Sequence, residues 1–309
     1  MKTLSSIFFH LIILFLNACT SPSVQYADFN TVKNIKLDEH NVSVLLGMPM
    51  DMLIMNDLAI ILDHQTDRFF HVFSIDSLNH LGSFIRKGRG PGEEVAIDPY
   101  FKIRTSDEIY YQSQNDIKVA RITTSKDTLR MVIQDKYELP ASRCNSLDFN
   151  LVNNIFHSNP TNPRSKDYVI LNTETGNHYE WGGPILLSDN RKFQSRKAEI
   201  NTKLTTVNPE RNLIASVYDL LPILRIYSLT EEKLITEQQM SDASDNLNLI
   251  LTDQTMKLTN YYHRIKSTNE YIYALYGGYP INDFFTEGRL LLVLIGQEKY
   301  ISGNGMELR

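Results

Sequence analysis

The stretch Gly82-Ser83-Phe84-Ile85-Arg86-Lys87-Gly88-Arg89-Gly90-Pro91-Gly92-Glu93 decides how the rest of the chain is read. Gly88, Gly90, Pro91 and Gly92 fall within five positions. Glycine reaches positive φ and proline fixes its own φ, so this combination dictates a tight, rigid loop. An alternating apolar run leads into it, and Arg86, Lys87, Arg89, Glu93 and Glu94 ring it with charge. It is not a nucleotide-binding turn. Such turns need Gly-x-x-x-x-Gly-Lys-Ser/Thr or Gly-x-Gly-x-x-Gly opening a helix, whereas residues 93–100 contain Pro99 and no helical period. Two roles remain. The loop is a connector between sheets, or Arg86, Lys87 and Arg89, with Glu93 beside them, reach an axial mouth and take an anionic ligand.

Outward from the loop the chain alternates short apolar runs with polar turns. Residues 42–46 (VSVLL), 58–62 (LAIIL), 69–75 (FFHVFSI) and 80–85 (HLGSFI) read as strands. The order polar turn, apolar strand, polar turn, second strand begins near Asp57 and again near Glu108, Lys166, Asn212 and Glu270. These starts lie about 50 residues apart, at the long end of propeller-blade periods. A blade is a four-stranded antiparallel sheet that cannot bury both faces alone, so blades stack around an axis. The expected fold is all-β, a β-propeller of four-stranded antiparallel blades with about five present; a sandwich is the competing reading. Residues 242–258 are the single helical candidate, with Leu247, Ile250, Leu251 and Leu258 at helical spacing. Residues 153–166, carrying Pro160 and Pro163, read as a long loop.

Composition sets bounds on function. The 309 residues are 42% hydrophobic and carry a net charge of −5, so no global basic field exists to hold nucleic acid. The N-terminus reads as a targeting segment: Lys2, an apolar run over residues 7–16, then Leu16-Asn17-Ala18-Cys19. That ending resembles the lipobox of bacterial lipoproteins, which implies signal removal after residue 18 and lipid on Cys19. The alternative is a plain secretory signal with a chance cysteine. Residues 19–40 then form a polar tether and residues 41–309 the propeller. If Cys19 carries lipid, Cys144 has no partner for an intramolecular disulfide.

The strand ending Gly82-Ser83-Phe84-Ile85, followed by Gly88-Arg89-Gly90-Pro91-Gly92-Glu93, resembles the TolB-like six-bladed β-propeller lipoproteins. The phrase Ile272-Tyr273-Ala274-Leu275-Tyr276-Gly277-Gly278-Tyr279 is similar to their penultimate-blade signature. The resemblance covers residues 42–279 and implies a propeller in the cell envelope with no catalytic residue to carry over. Another 50 residues or so of repeat would place a sixth blade past Arg309, so the expectation is a propeller lacking its last blade.

No residues have the spacing of a metal site, a nucleophile elbow or a cofactor loop. His71 and His80 either face each other across a hairpin or, the favoured reading, play an ordinary strand-surface role. Asp63, His64, Asp67 and Arg68 occupy a turn after a core strand, where ligand groups or simple turn chemistry are equally at home. Trp181, near Tyr179, either stacks on a sugar or peptide at a rim or plugs a gap between blades. The functional expectation is a non-enzymatic binding module for a protein, peptide or glycan. It needs no cofactor or metal and is held by lipid on the outer membrane, on the periplasmic side. A propeller-type hydrolase or lyase with a channel site, and a degenerate gene product, are the alternatives.

Overall fold

The computed structural model describes residues 43–296 apart from 126–127, 140–148, 153–154, 159–165, 184, 186–195, 241, 253, 255–256 and 281–290. The signal segment, Cys19, the tether and Cys144 lie outside the described residues. The strands form five antiparallel sheets in which each strand pairs with its sequence neighbour. The first sheet contains β1 (Pro49–Met55), β2 (Leu58–Asp63), β3 (Arg68–Ser74) and β4 (His80–Arg86). The second contains β5 (Phe101–Ile103), β6 (Glu108–Ser113), β7 (Asp116–Ser125) and β8 (Thr128–Glu138). The third contains β9 (Phe149–Val152), β10 (Ile155–Ser158), β11 (Tyr168–Asn172) and β12 (His178–Trp181). The fourth contains β13 (Lys203–Asn208), β14 (Leu213–Tyr218), β15 (Ile223–Ser228) and β16 (Lys233–Gln239). The last described sheet contains β17 (Thr259–Ser267), β18 (Tyr271–Pro280) and β19 (Leu291–Gly296).

The sheets meet through their first strands: β1 lies against β5, β9 against β13, and β13 against β17. Arg264 on β17 reaches across to β1. Its Nη2 donates to the Met50 carbonyl on β1 at 2.6 Å, and its Nε lies 3.8 Å from the Asp51 carboxylate. First strands arranged this way surround an axis, and the sheets radiate from it as propeller blades.

Period-two patterning explains how adjacent sheets stack. Leu53, Ile60, Leu62, Phe70 and Val72 form one face of the first sheet and pack on Phe101, Ile109 and Tyr111 of the second. Phe70 meets Phe101 edge-on at 5.2 Å and Tyr111 at 5.3 Å. Each such buried side chain contributes about 1.5–3 kcal/mol. The opposite face carries Met52 and Ile54, which are 54% and 51% exposed.

Several expectations need correction. Residues 43–46 are irregular, and the first strand begins at Pro49 instead. The expected loop over residues 153–166 contains β10, because Ile155-Phe156-His157-Ser158 pairs with both β9 and β11. The repeat start placed near Lys166 therefore marks a third strand, whereas the other starts mark second strands. The helix is shorter than expected. After the single-turn α1 (Lys197–Ile200), α2 spans Ser244–Leu251. Asp242 accepts from the Ser244 backbone N–H at 2.9 Å just ahead of α2. Asn246 fixes the helix to the sheet: Nδ2 donates to the carbonyls of Leu220 and Thr259, and Oδ1 accepts from Thr259 N, each at 2.8 Å.

Candidate functional site

The glycine-rich loop joins β4 to β5 and is bound up in its own hydrogen bonds. Gly88 N donates to Glu94 O at 3.0 Å, Glu94 N to Arg86 O at 2.9 Å, and Glu93 N to Gly90 O at 3.0 Å. The Glu93 carboxylate turns back to accept from Gly90 N at 2.9 Å and lies 3.9 Å from Arg86. It occupies the space a Cβ at position 88 would need, only 1.9 Å from where one would sit, which explains that glycine. Gly92 has φ +76, a conformation open to glycine at little cost. Lys87 is drawn inward: Nζ donates to the His64 carbonyl and stands 5.2 Å from the centre of the Phe69 ring. Arg86 and Arg89 remain exposed. Glu94 is buried and accepts from Ser113 Oγ at 2.6 Å and from Lys118 Nζ at 2.5 Å, tying the loop to the second sheet. The loop thus brings Arg86 and Glu93 together, buries part of Lys87 and leaves Arg89 at the surface. None of the four lines the axial cavity described below.

Trp181 is 4% exposed. It stacks on Tyr168 at 4.9 Å and meets Tyr227 edge-on at 5.5 Å, between the third and fourth sheets. Tyr179, by contrast, is 47% exposed. Beneath Trp181 lies a cluster that no spacing in the sequence singles out. Tyr227 Oη donates to Asp167 Oδ2 at 2.6 Å, Lys203 Nζ lies 3.3 Å from Oδ1, and Arg225 Nη1 lies 3.4 Å from Oδ2. Lys203 also donates to the Asp167 carbonyl at 2.7 Å and sits 4.5 Å over the Tyr168 ring. Burial, reinforced by the Asp167 carboxylate, pushes the Tyr227 phenol far above its ordinary range, so it stays a neutral donor.

The histidines of the first sheet form a directed chain. Thr66 Oγ1 donates to the Arg68 carbonyl at 2.6 Å and so accepts from His71 Nε2 at 2.9 Å. His71 Nδ1 is then an acceptor for Ser83 Oγ at 2.9 Å, and Ser83 accepts from His80 Nε2 at 3.0 Å. Burial lowers the His71 pKa, consistent with this neutral tautomer. Asp63 is fully buried and spends its carboxylate on the backbone N–H groups of Met48, Gln65 and Thr66.

The axis is where separate blades converge. A cavity of about 430 Å³ is lined by first-strand residues of all five described sheets, including Leu53, Lys102, Asn150, Thr206 and Lys266. Lys102 knits three of them: Nζ donates to Asn150 Oδ1 and to the Thr205 carbonyl, both at 2.8 Å, while Asn150 Nδ2 donates to Thr205 Oγ1 at 2.5 Å. A smaller cavity of about 20 Å³ shares Lys102, Ile265 and Lys266. Arg264 borders it, stacked 4.8 Å over the Tyr100 ring. The volume of the main cavity suits a small molecule, and polar groups converge on it from several strands. Among the described residues no group of three or more histidine, cysteine or acidic side chains is placed to hold a metal ion.

The chain is similar in fold to several solved structures. A protein of Bacteroides fragilis that is named as exported shares 13% identity, covers 92% of this chain and 78% of its own, and superposes with a TM-score of 0.53. A member of the DUF4221 family from Bacteroides vulgatus shares 10% identity over 82% of this chain and 78% of its own, with a TM-score of 0.48. The Cps50 (Swd1) β-propeller domain of Myceliophteria thermophila shares 8% identity over 86% and 72%, again with a TM-score of 0.48. No curated protein matches the sequence. The family model described as TolB-like 6-blade propeller-like matches residues 25–293, and the chain belongs to that family.

Proposed function

We propose that this chain is a lipid-anchored binding module of the cell envelope, non-enzymatic, which receives its ligand at the axial mouth of the propeller. A propeller is a scaffold for binding and interaction, with its specificity in the side chains it gathers rather than in the fold itself. The carrying observation is the cavity of about 430 Å³ built from the first strands of five sheets. Such a site needs the whole assembled ring, so a ligand bound there stabilises the fold by mass action. The glycine loop stands as a connector, supported by its internal hydrogen bonds and by Glu94. The ligand is a protein segment, a peptide or a glycan that can enter the mouth.

The anchor reading rests on Leu16-Asn17-Ala18-Cys19, with residues 1–18 removed and residues 19–40 serving as the tether. An envelope address is what the family resemblance implies, and the periplasmic side of the outer membrane is favoured because no acidic cluster directly follows Cys19. The fold likeness to a Bacteroides protein named as exported agrees with an envelope address.

Thermal melting of the full chain against a panel of sugars and short peptides, in parallel with Thr206→Trp, tests the site. A ligand that raises Tm of the chain but not of the variant supports it. Ligands that stabilise both equally, or none that stabilises either, contradict it. For the anchor, Cys19→Ser should move the protein from the membrane fraction to the soluble fraction; retention in the membrane fraction contradicts lipidation.

A further inference from the structure

Charge at the axis runs against charge in the chain. The chain carries a net −5, yet the described lining of the main cavity contains Lys102, Arg104 and Lys266 and no carboxylate. These cations differ in what answers them. Arg104 Nη1 lies 3.0 Å from Asp135 and 3.8 Å from Glu108, so two carboxylates screen it. Lys102 is held in place by Asn150 and the Thr205 carbonyl, a fixed ammonium at the junction of three blades. Lys266 is exposed and has no carboxylate partner among the described residues. Asp51 borders only the smaller cavity, where Arg264 lies 3.8 Å from it.

Apolar walls surround these charges: Leu53, Ile103, Val207 and Ile265. A cleft with low-dielectric walls and one sign of charge focuses its field on an entering ion of the other sign. Thr105, Thr206 and Ser267 add hydroxyl oxygens: each gives its hydrogen within the protein, to Asp107, Ser267 and Val207 respectively, and keeps lone pairs that can accept from a ligand hydroxyl. Groups of that kind recognise hydroxyls on a ligand and leave the cations to recognise its charge.

We infer that the axial site selects a small hydroxylated molecule bearing a carboxylate or a phosphate, with Lys266 as the group that meets the anion and Lys102 setting the potential behind it. This inference rests on the channel reading above and narrows its ligand to one chemical class. A carboxylate and a phosphate offer the same acceptor chemistry to an ammonium, and the probes below separate them.

The experiment is calorimetric titration of the full chain with D-glucuronate, D-glucose 6-phosphate and D-glucose, repeated with Lys266→Gln and Lys266→Glu. Melting curves of both variants check that they are folded. Expected is binding of one or both anions at least about tenfold tighter than glucose, the size of one charge-assisted hydrogen bond. That affinity should fall as ionic strength rises from about 0.05 to about 0.5 M. Lys266→Gln should lose most of the preference and Lys266→Glu should reverse it. The stronger of the two anions identifies the acceptor group. Equal binding of all three probes, insensitive to salt and to Lys266, overturns the anion inference and leaves the channel reading standing. Binding by none of the three, with a folded chain, counts against both.

Discussion

Replacing Asp167 with alanine would take a buried carboxylate away from two buried cations, Lys203 at 3.3 Å and Arg225 at 3.4 Å, leaving Arg225 its contact with Glu237. Leaving buried charge without its partner costs about 3–5 kcal/mol. Chemical denaturation of Asp167→Ala should show a loss of that size, while Glu237→Ala, at a half-exposed carboxylate 2.6 Å from Arg225, should lose about 1 kcal/mol or less. Asp98 offers a test through pH. Burial raises its carboxyl from 3.8 to about 6, so the folded chain holds that proton more tightly than the unfolded chain does. Its contribution to stability is therefore full below pH 3.8 and is lost as the pH rises through about 6. Asp98→Asn should match the native chain in thermal melts near pH 4, exceed it at pH 7, and flatten the slope between. Residue chemistry of this kind was largely hidden in the sequence. Asp167 just ahead of β11, Lys203 on β13 and Arg225 on β15 meet only in space, and no local spacing announces them. His71 and His80 share one hairpin, so the sequence offered a facing pair as the lesser reading beside an ordinary surface role; their rings lie 5.9 Å apart and His71 is buried.

At the scale of the element, strands were legible where they were apolar. β3, β14 and β15 are apolar-rich and almost wholly buried, β2 buries Ile60, Leu62 and Asp63, and β18 opens on an apolar and aromatic run in which Ile272 and Ala274 are buried. Polar strands escaped notice. β8 alternates between exposed and half-buried residues, and β16 is mostly exposed, since each is paired along one edge only in the described sheets. β10 was lost to the Asn- and Pro-rich sequence around it, which shifted the repeat by one strand in the third sheet. Alternation in β1 yields a sharp contrast. Leu53→Ala removes a 7%-exposed side chain from the interface with the second sheet and should cost about 2–4 kcal/mol. Ile54→Thr, one residue on at 51% exposure, should change stability by about 0.5 kcal/mol or less. Equal losses at both positions in urea unfolding would mean that the outward face of the first sheet is also packed in solution.

Across the whole molecule, the blade architecture and the family could be read from one loop and a period of about 50 residues, because each blade repeats the same local problem of burying a sheet face. The site could not. Its residues are contributed one or two at a time by first strands far apart in the chain, and Lys102, Asn150 and Thr205 become neighbours only when three blades close around the axis. The glycine loop, compact enough to be conspicuous in sequence, is also compact enough to satisfy many of its own backbone groups. We therefore propose binding at the axis and bracing at the loop. The most direct test is to map amide chemical shifts of the isotope-labelled full chain while titrating D-glucuronate and D-glucose 6-phosphate. The account predicts changes centred on residues 102–105, 205–207 and 265–267, with residues 86–93 unmoved. Changes centred on Arg86, Lys87, Arg89 and Glu93, with the axial residues unmoved, would contradict it.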